Sequence, residues 1–187
     1  MDRFVRGIFI SIFCCLVSSF GWADERGVPE INLRTAILVK LPRMIYWSAE
    51  SDFNNKAIPF RLCIFQDRDY YRHVLRNVSG KVLSNKKIEV VYARDIDDMR
   101  GCHVAFVGEV PIEEIRKIVE SGLLNETIFV ASTEGSAEAG IHIRLYVGAN
   151  QRTRFELNER AFKAGRHEPS VQFIKLAERI YAEGGSR

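Results

Sequence analysis

The sequence has little proline, no excess of charge of one sign, and no long apolar run after its first 20 residues. Five prolines and 13 glycines in 187 residues exclude a collagen-like or low-complexity chain. A hydrophobic content of 47% excludes intrinsic disorder. The formal net charge of +3 is small, and the charges are dispersed, so binding to nucleic acid is not expected. The composition therefore predicts a globular protein, and charge alone names no partner.

The common signatures of catalysis and metal binding are also missing. No G-x-S-x-G, G-x-x-x-x-G-K-[ST] or G-x-G-x-x-G motif occurs. The four histidines, at positions 73, 103, 142 and 167, are too far apart for a metal motif on one helix. We expect His73 and His142 to lie on the surface, His142 at an outward strand position. These absences predict no catalytic residues, no metal site and no cofactor, and they favour a binding or regulatory protein over an enzyme.

Residues 1–23 have the features of a secretory signal peptide. Arg3 and Arg6 provide the positive start, residues 7–20 form an apolar segment, and Gly21 and Ala23 are the small residues that precede a cleavage point. We expect cleavage after Ala23, which leaves a single exported domain over residues 24–187. An uncleaved anchor is the alternative, but the apolar segment is shorter than the roughly 20 residues that span a bilayer.

Two of the four cysteines, Cys63 and Cys102, lie outside this signal. An even number in an oxidising compartment favours a disulfide. The alternative is a pair of separately buried thiols, which are common in protein cores. A bridge would close a loop of about 40 residues and would constrain the unfolded chain by roughly 4 kcal/mol.

The first predicted element is an amphipathic helix. Apolar residues recur at steps of three and four between Pro29 and Trp47, which indicates one buried stripe. Pro42 lies inside this segment and removes a backbone donor, so it should kink the helix or divide it after Leu41.

After this helix, short apolar strands alternate with amphipathic helices. Asp67 and Asn158 are expected to cap helices, and Pro111 is expected to begin one. Lys86 and Lys87 are expected to lie in a solvated turn. Strands are predicted at 59–65, 87–93, 102–107, 127–131, 141–147 and 152–157, and helices at 67–80, 111–122, from 158, and at 171–181.

This order predicts an α/β fold with three layers. The continuous apolarity of 102–107 indicates a strand buried on both faces, as in a parallel sheet. We therefore expect a Rossmann-like, mainly parallel sheet with right-handed crossovers and flanking helices. The alternating segments 141–147 and 152–157 should form a C-terminal antiparallel hairpin that closes the sheet.

Several short segments resemble one family of exported proteins. These segments are Ala36 to Trp47, Leu62-Cys-Ile, Gly101 to Gly108, Arg154 to Asn158, Ala164-Gly165 and Ile174 to Ala177. The most specific part is the R-F-E-L-N segment followed by A-G and K-L-A. Over nearly the whole of residues 24–187, the sequence is similar to the YfiR-type periplasmic proteins. The sequence departs from the family pattern at Pro42 and at residues 166–169.

The resemblance implies a function and a compartment. It implies a periplasmic repressor that binds the periplasmic domain of an inner-membrane diguanylate cyclase of the YfiN type. Such a protein restrains cyclic-di-GMP signalling and biofilm formation, and it is a regulator without catalytic activity. The resemblance also implies a disulfide between Cys63 and Cys102, whose redox state could tune repression. A homodimer is a further expectation.

We predict the partner surface in the C-terminal part of the chain, at Glu156 and Phe162. Alternation along the strand from Arg152 puts Glu156 on one face and Phe155 and Leu157 on the other. If the second pair fills the core, Glu156 is available to a partner. The alternative is a purely structural role for this segment.

Two other functions remain open from the residues alone. The first is a small-molecule sensor with its ligand in a crevice at the carboxyl ends of the strands. The second is an exported hydrolase, which has no recognisable pair of nucleophile and base.

Overall fold

The computed structural model describes residues 30–183, 185 and 186. The expected signal peptide and its cleavage after Ala23 lie outside the described residues. The helices are α1 (Glu30–Lys40), α2 (Arg68–Val78), α3 (Ile112–Glu120), α4 (Glu159–Ala164) and α5 (Val171–Leu176), with short 3-10 helices at Leu41–Met44, Asp52–Asn54, Asp97–Met99 and Leu123–Asn125. The strands are β1 (Ile45–Tyr46), β2 (Phe60–Phe65), β3 (Val82–Leu83), β4 (Lys86–Ala93), β5 (Val104–Gly108), β6 (Ile128–Ala131), β7 (Ile143–Val147), β8 (Thr153–Asn158), β9 (Glu168–Pro169), β10 (Arg179–Ala182) and β11 (Gly185–Ser186).

Nine of these strands form one mixed sheet in the order β11-β10-β8-β7-β6-β5-β2-β4-β3. The central strands β4, β2, β5, β6 and β7 are parallel, and β7 pairs antiparallel with β8. The predicted parallel sheet and its hairpin are therefore confirmed. The sheet does not close at β8, however, because β10 pairs parallel with β8 and then forms a C-terminal antiparallel hairpin with β11.

Helices cover both faces of the sheet, which confirms the three layers. Leu38 of α1, Val74 of α2 and Phe173 of α5 pack in one buried cluster on the first face. Ile115 and Ile118 of α3 pack in a second cluster on the other face.

The local signals for the helix ends are confirmed. Helix α1 ends at Lys40, and the next turn, which contains Pro42, is a 3-10 helix. The predicted helical segment does not continue to Trp47, because Ile45 and Tyr46 form β1 and pair with β9. The Asp67 carboxylate accepts a hydrogen bond from the Tyr70 N–H at 2.9 Å, and the Asn158 side chain accepts one from the Ala161 N–H at 3.1 Å. Both side chains satisfy amide groups that have no partner within the helix.

The predicted helix over 171–181 is wrong in its second half. Helix α5 ends at Leu176, and residues 179–182 form β10. The backbone of β8 would otherwise have an open edge, and β10 pairs with it along that edge. This pairing outweighs the local helical spacing of the apolar residues.

Two polar residues predicted to be solvated are buried. His142 is 0% exposed, and its Nδ1 accepts a hydrogen bond from the Phe129 N–H at 3.2 Å. Lys86 is 4% exposed, and its Nζ donates to the backbone carbonyls of Asn55 and Ile58. The surface prediction fails in both cases because a backbone group replaces water as the hydrogen-bond partner.

Candidate functional site

A cleft of about 350 Å³ opens at the amino ends of the parallel strands. It is named the amino-end cleft below. Its wall includes Cys102 and His103, which immediately precede β5. The lining residues are Ser48, Glu50, Ser51, Asp52, Gly101, Cys102, His103, Asn125, Glu126 and His167. The cleft therefore lies at the opposite end of the sheet from the crevice that a small-molecule sensor was predicted to use.

Two buried histidines of the cleft are held by backbone amides. His103 Nδ1 accepts a hydrogen bond from the Arg61 N–H at 3.0 Å, and His167 Nδ1 accepts one from the Ser48 N–H at 3.1 Å. A ring nitrogen that accepts carries no proton, so in each neutral ring the proton is on Nε2. The Nε2 of His167 is buried and has no hydrogen-bond partner among the described residues.

Both imidazoles are neutral at pH 7. Burial lowers the pKa of His103 to about 4, with a further contribution from the positive charge of Lys86, while Asp52 opposes the shift. Burial also lowers the pKa of His167. The cleft is thus lined by two neutral imidazoles and by the carboxylates of Glu50, Asp52 and Glu126.

Trp47 connects the two histidines in one aromatic cluster. Its ring stacks on Phe53 at a centroid distance of 4.5 Å. It also makes edge-to-face contacts with His167 and His103, at centroid distances of 5.1 Å and 6.2 Å. Its Nε1 donates to the Pro42 carbonyl at 3.1 Å. Sequence reasoning missed this cluster because its members are far apart in the chain, and no local pattern connects them.

The disulfide between Cys63 and Cys102 is present at the cleft. The Cα atoms are 6.0 Å apart, which is within the usual range for a disulfide. Cys63 lies in β2 and Cys102 lies two residues before the neighbouring strand β5, and both residues are buried. The bridge predicted from the cysteine count and from the resemblance is therefore confirmed.

Replacing both cysteines by alanine should lower the free energy of unfolding by about 2 to 4 kcal/mol, because the unfolded chain regains the freedom of a 39-residue loop. Urea unfolding of the parent protein and of the Cys63→Ala/Cys102→Ala variant measures this difference. The parent protein, unfolded without reductant, should show no free thiol from these cysteines. Equal stabilities, or two free thiols in the parent, would contradict the prediction.

Glu156 and Phe162 do not form the open surface that the sequence predicted. Glu156 is 5% exposed, and its Oε1 accepts a hydrogen bond from Arg144 Nη1 at 3.1 Å. Phe162 is 0% exposed and packs against the ring of His142. The expected exposure is wrong because Arg144 on β7 and Arg179 on β10 flank Glu156 on both sides. A role of Glu156 and Phe162 in partner binding stays a prediction, and buried side chains can contribute only through the shape of the surface above them.

The described part of the chain contains neither a candidate metal site nor a membrane-spanning helix. Within it, no group of three or more His, Cys, Asp or Glu side chains is arranged to hold a metal ion. Nor does any helix between residues 30 and 183 have the length and apolarity needed to cross a membrane.

Comparison with known proteins assigns the chain to a family. A family model described as YfiR/HmsC-like matches residues 31–178, which extend from α1 to the residue before β10. This match covers more than half of the chain, so the protein belongs to the YfiR/HmsC-like family. No curated protein matches the chain significantly.

Proposed function

We propose that this member of the YfiR/HmsC-like family is a periplasmic regulatory protein that binds the periplasmic domain of an inner-membrane diguanylate cyclase and represses it. The observation that carries the proposal is the family match over residues 31–178. Repression of the cyclase lowers cyclic-di-GMP and restrains biofilm formation. The protein acts in this role by binding and not by catalysis.

The disulfide supports the proposed compartment. Disulfides persist in oxidising environments such as the bacterial periplasm and are rare in the cytosol. The Cys63–Cys102 bridge is buried beside the amino-end cleft, as expected of a structural disulfide. Export through a signal peptide cleaved after Ala23 is part of the same proposal.

A second function, small-molecule sensing, is favoured by the amino-end cleft. Neutral His103 and His167 line this cleft beside the carboxylates of Glu50 and Asp52, and a concave site with a few polar groups suits a small ligand. The two functions are compatible, since a ligand beside the disulfide could alter how the protein binds its partner.

Deleting the gene in its native host should raise cyclic-di-GMP, because the cyclase is then free of its repressor. Cyclic-di-GMP is measured by mass spectrometry of cell extracts, and expression of the full chain from a plasmid should restore the parental level. The rise should disappear when the GGDEF motif of the cognate cyclase is also inactivated. An unchanged level in the deletion strain, with the protein shown to be present in the parent strain, would contradict the proposed function.

A further inference from the structure

An apolar groove of about 210 Å³ lies on the face of the sheet that α1 and α5 cover. Its lining residues are Ile37, Leu38, Lys40, Leu41, Met44, Val130, Ile143, Leu145, Thr153, Phe155, Phe173 and Leu176. Lys40 is the one charged residue in this set. Phe155 of β8 and Phe173 of α5 stack at 4.7 Å and form part of its wall. The groove is thus a preformed apolar site that is separate from the amino-end cleft.

Large apolar side chains at the groove are exposed to solvent. Leu176, which lines the groove, is 66% exposed. Leu33, one helical turn before the lining residue Ile37 on α1, is 39% exposed. Exposed apolar side chains at a preformed groove are typical of a binding site for another protein.

Three cations lie in the groove wall or next to its lining residues in the chain, and they have no acidic partner among the described residues. Lys40 lines it, Arg43 lies between the lining residues Leu41 and Met44, and Lys175 precedes Leu176. All three are exposed. Arginines elsewhere in the same region are paired, as Arg34 is with Glu30 and Arg154 is with Glu178. The groove therefore combines an apolar floor with a positive rim.

We infer that the groove binds an amphipathic segment of the partner protein, whose large apolar side chains enter the groove and whose acidic residues face Lys40, Arg43 and Lys175. The inference rests on the proposed function, which supplies a periplasmic protein domain as the partner. The aromatic and aliphatic lining suits an inserted apolar side chain, and the opposite charges at the rim favour association and set its orientation.

Two other occupants fit the groove less well. A second copy of this chain related by twofold symmetry would bring the same positive rim against itself, and like charges at an interface oppose binding. A fatty acid could fill the groove, but it would leave Leu33 exposed and would use only one of the three cations.

The test compares Leu176→Asp with Val82→Asp in the native host. Leu176 and Val82 are 66% and 64% exposed, so neither change should affect folding, and Val82 lies on β3 at the far edge of the sheet. We expect Leu176→Asp to weaken partner binding by roughly tenfold or more and to raise cyclic-di-GMP towards the level of the deletion strain. Val82→Asp should repress normally. Circular dichroism and the thermal midpoint confirm that both variants are folded.

A charge-reversal pair tests the rim separately. The variant Lys40→Glu/Lys175→Glu should no longer repress the cyclase. The control variant Lys81→Glu/Lys87→Glu, which changes two exposed lysines near the β3–β4 hairpin, should repress it normally. Full repression by folded Leu176→Asp, in a host where gene deletion raises cyclic-di-GMP, would overturn the groove inference and leave the proposed function standing.

Photocrosslinking keeps the two proposals distinguishable if gene deletion has no effect. The full chain carries benzoylphenylalanine at position 176 or, as a control, at position 82, and adducts are mapped by mass spectrometry. An adduct specific to position 176 on an apolar segment with flanking Asp or Glu in another protein supports the groove inference. An adduct to a second copy of the chain or to a lipid, equal adducts at both positions, or no adduct would overturn it.

Discussion

Glu156→Lys is expected to unfold the protein instead of weakening a partner contact. Glu156 is 5% exposed, is hydrogen-bonded to Arg144 at 3.1 Å, and stands opposite Arg179 on β10. A lysine there would place three positive charges together and would leave Arg144 without its partner. Breaking a buried ion pair costs about 3 to 5 kcal/mol, which is a large part of the roughly 5 to 15 kcal/mol that stabilises a typical domain.

Two variants separate this effect from a general effect of charge. Glu156→Gln keeps the shape of the side chain and an oxygen that accepts from Arg144, so it should destabilise the protein less than Glu156→Lys. Glu178→Lys reverses a half-exposed charge that pairs with Arg154 at 3.4 Å, and the change should cost less than about 1 kcal/mol. Urea unfolding and the amount of protein in the periplasm measure both effects. A Glu156→Lys variant as stable as the parent would contradict the prediction.

This result also decides how a loss of repression by Glu156→Lys is interpreted. A variant that does not accumulate raises cyclic-di-GMP through its absence, and the rise then gives no information about contacts with the partner. Leu176 is better suited to such a test because its side chain is exposed, so its substitution should not affect folding.

The parallel half of the sheet could be predicted from the sequence because its signals are local. Strands β2, β5 and β6 are short apolar runs followed by turn or capping residues, β4 alternates between buried and exposed residues, and Asp67 caps its helix as its position predicts. The division of the first helix follows from Pro42, because a proline cannot donate the next helical hydrogen bond. These features depend on a few neighbouring residues and not on the rest of the fold.

The surroundings of Glu156 could not be predicted in the same way. Alternation correctly assigns Phe155 and Leu157 to the core side of β8. Whether the opposite side is open depends on β10, whose residue Arg179 is 23 positions further along the chain. The burial of Lys86 and of His142 is likewise set by backbone groups from distant segments. A sequence pattern predicts on which face of a strand a side chain lies, whereas the burial of that side chain depends on tertiary contacts.

Lowering the pH from 7 to about 4 should strongly destabilise the protein, because buried histidines are neutral in the folded state. Burial, with a smaller contribution from the neighbouring His167, lowers the pKa of His142 to about 3. The pKa of His103 is lowered to about 4. In the unfolded chain a histidine binds a proton below a pH of about 6.5. Between pH 6.5 and the folded pKa, the unfolded state therefore binds more protons, and the free energy of unfolding falls as the pH falls.

The substitution His142→Asn tests this origin of the acid sensitivity. At about 1.36 kcal/mol for each pH unit between 6.5 and the folded pKa, His142 alone accounts for roughly 3 to 5 kcal/mol. The asparagine oxygen can still accept from the Phe129 N–H, but it does not titrate, so the free energy of unfolding should depend less steeply on pH between 6.5 and 4. His73→Asn, at a half-buried position of α2, is the matched substitution outside the core, and it should leave the slope unchanged. Urea unfolding at each pH gives the slopes, and an unchanged slope in His142→Asn would show that the acid sensitivity arises elsewhere.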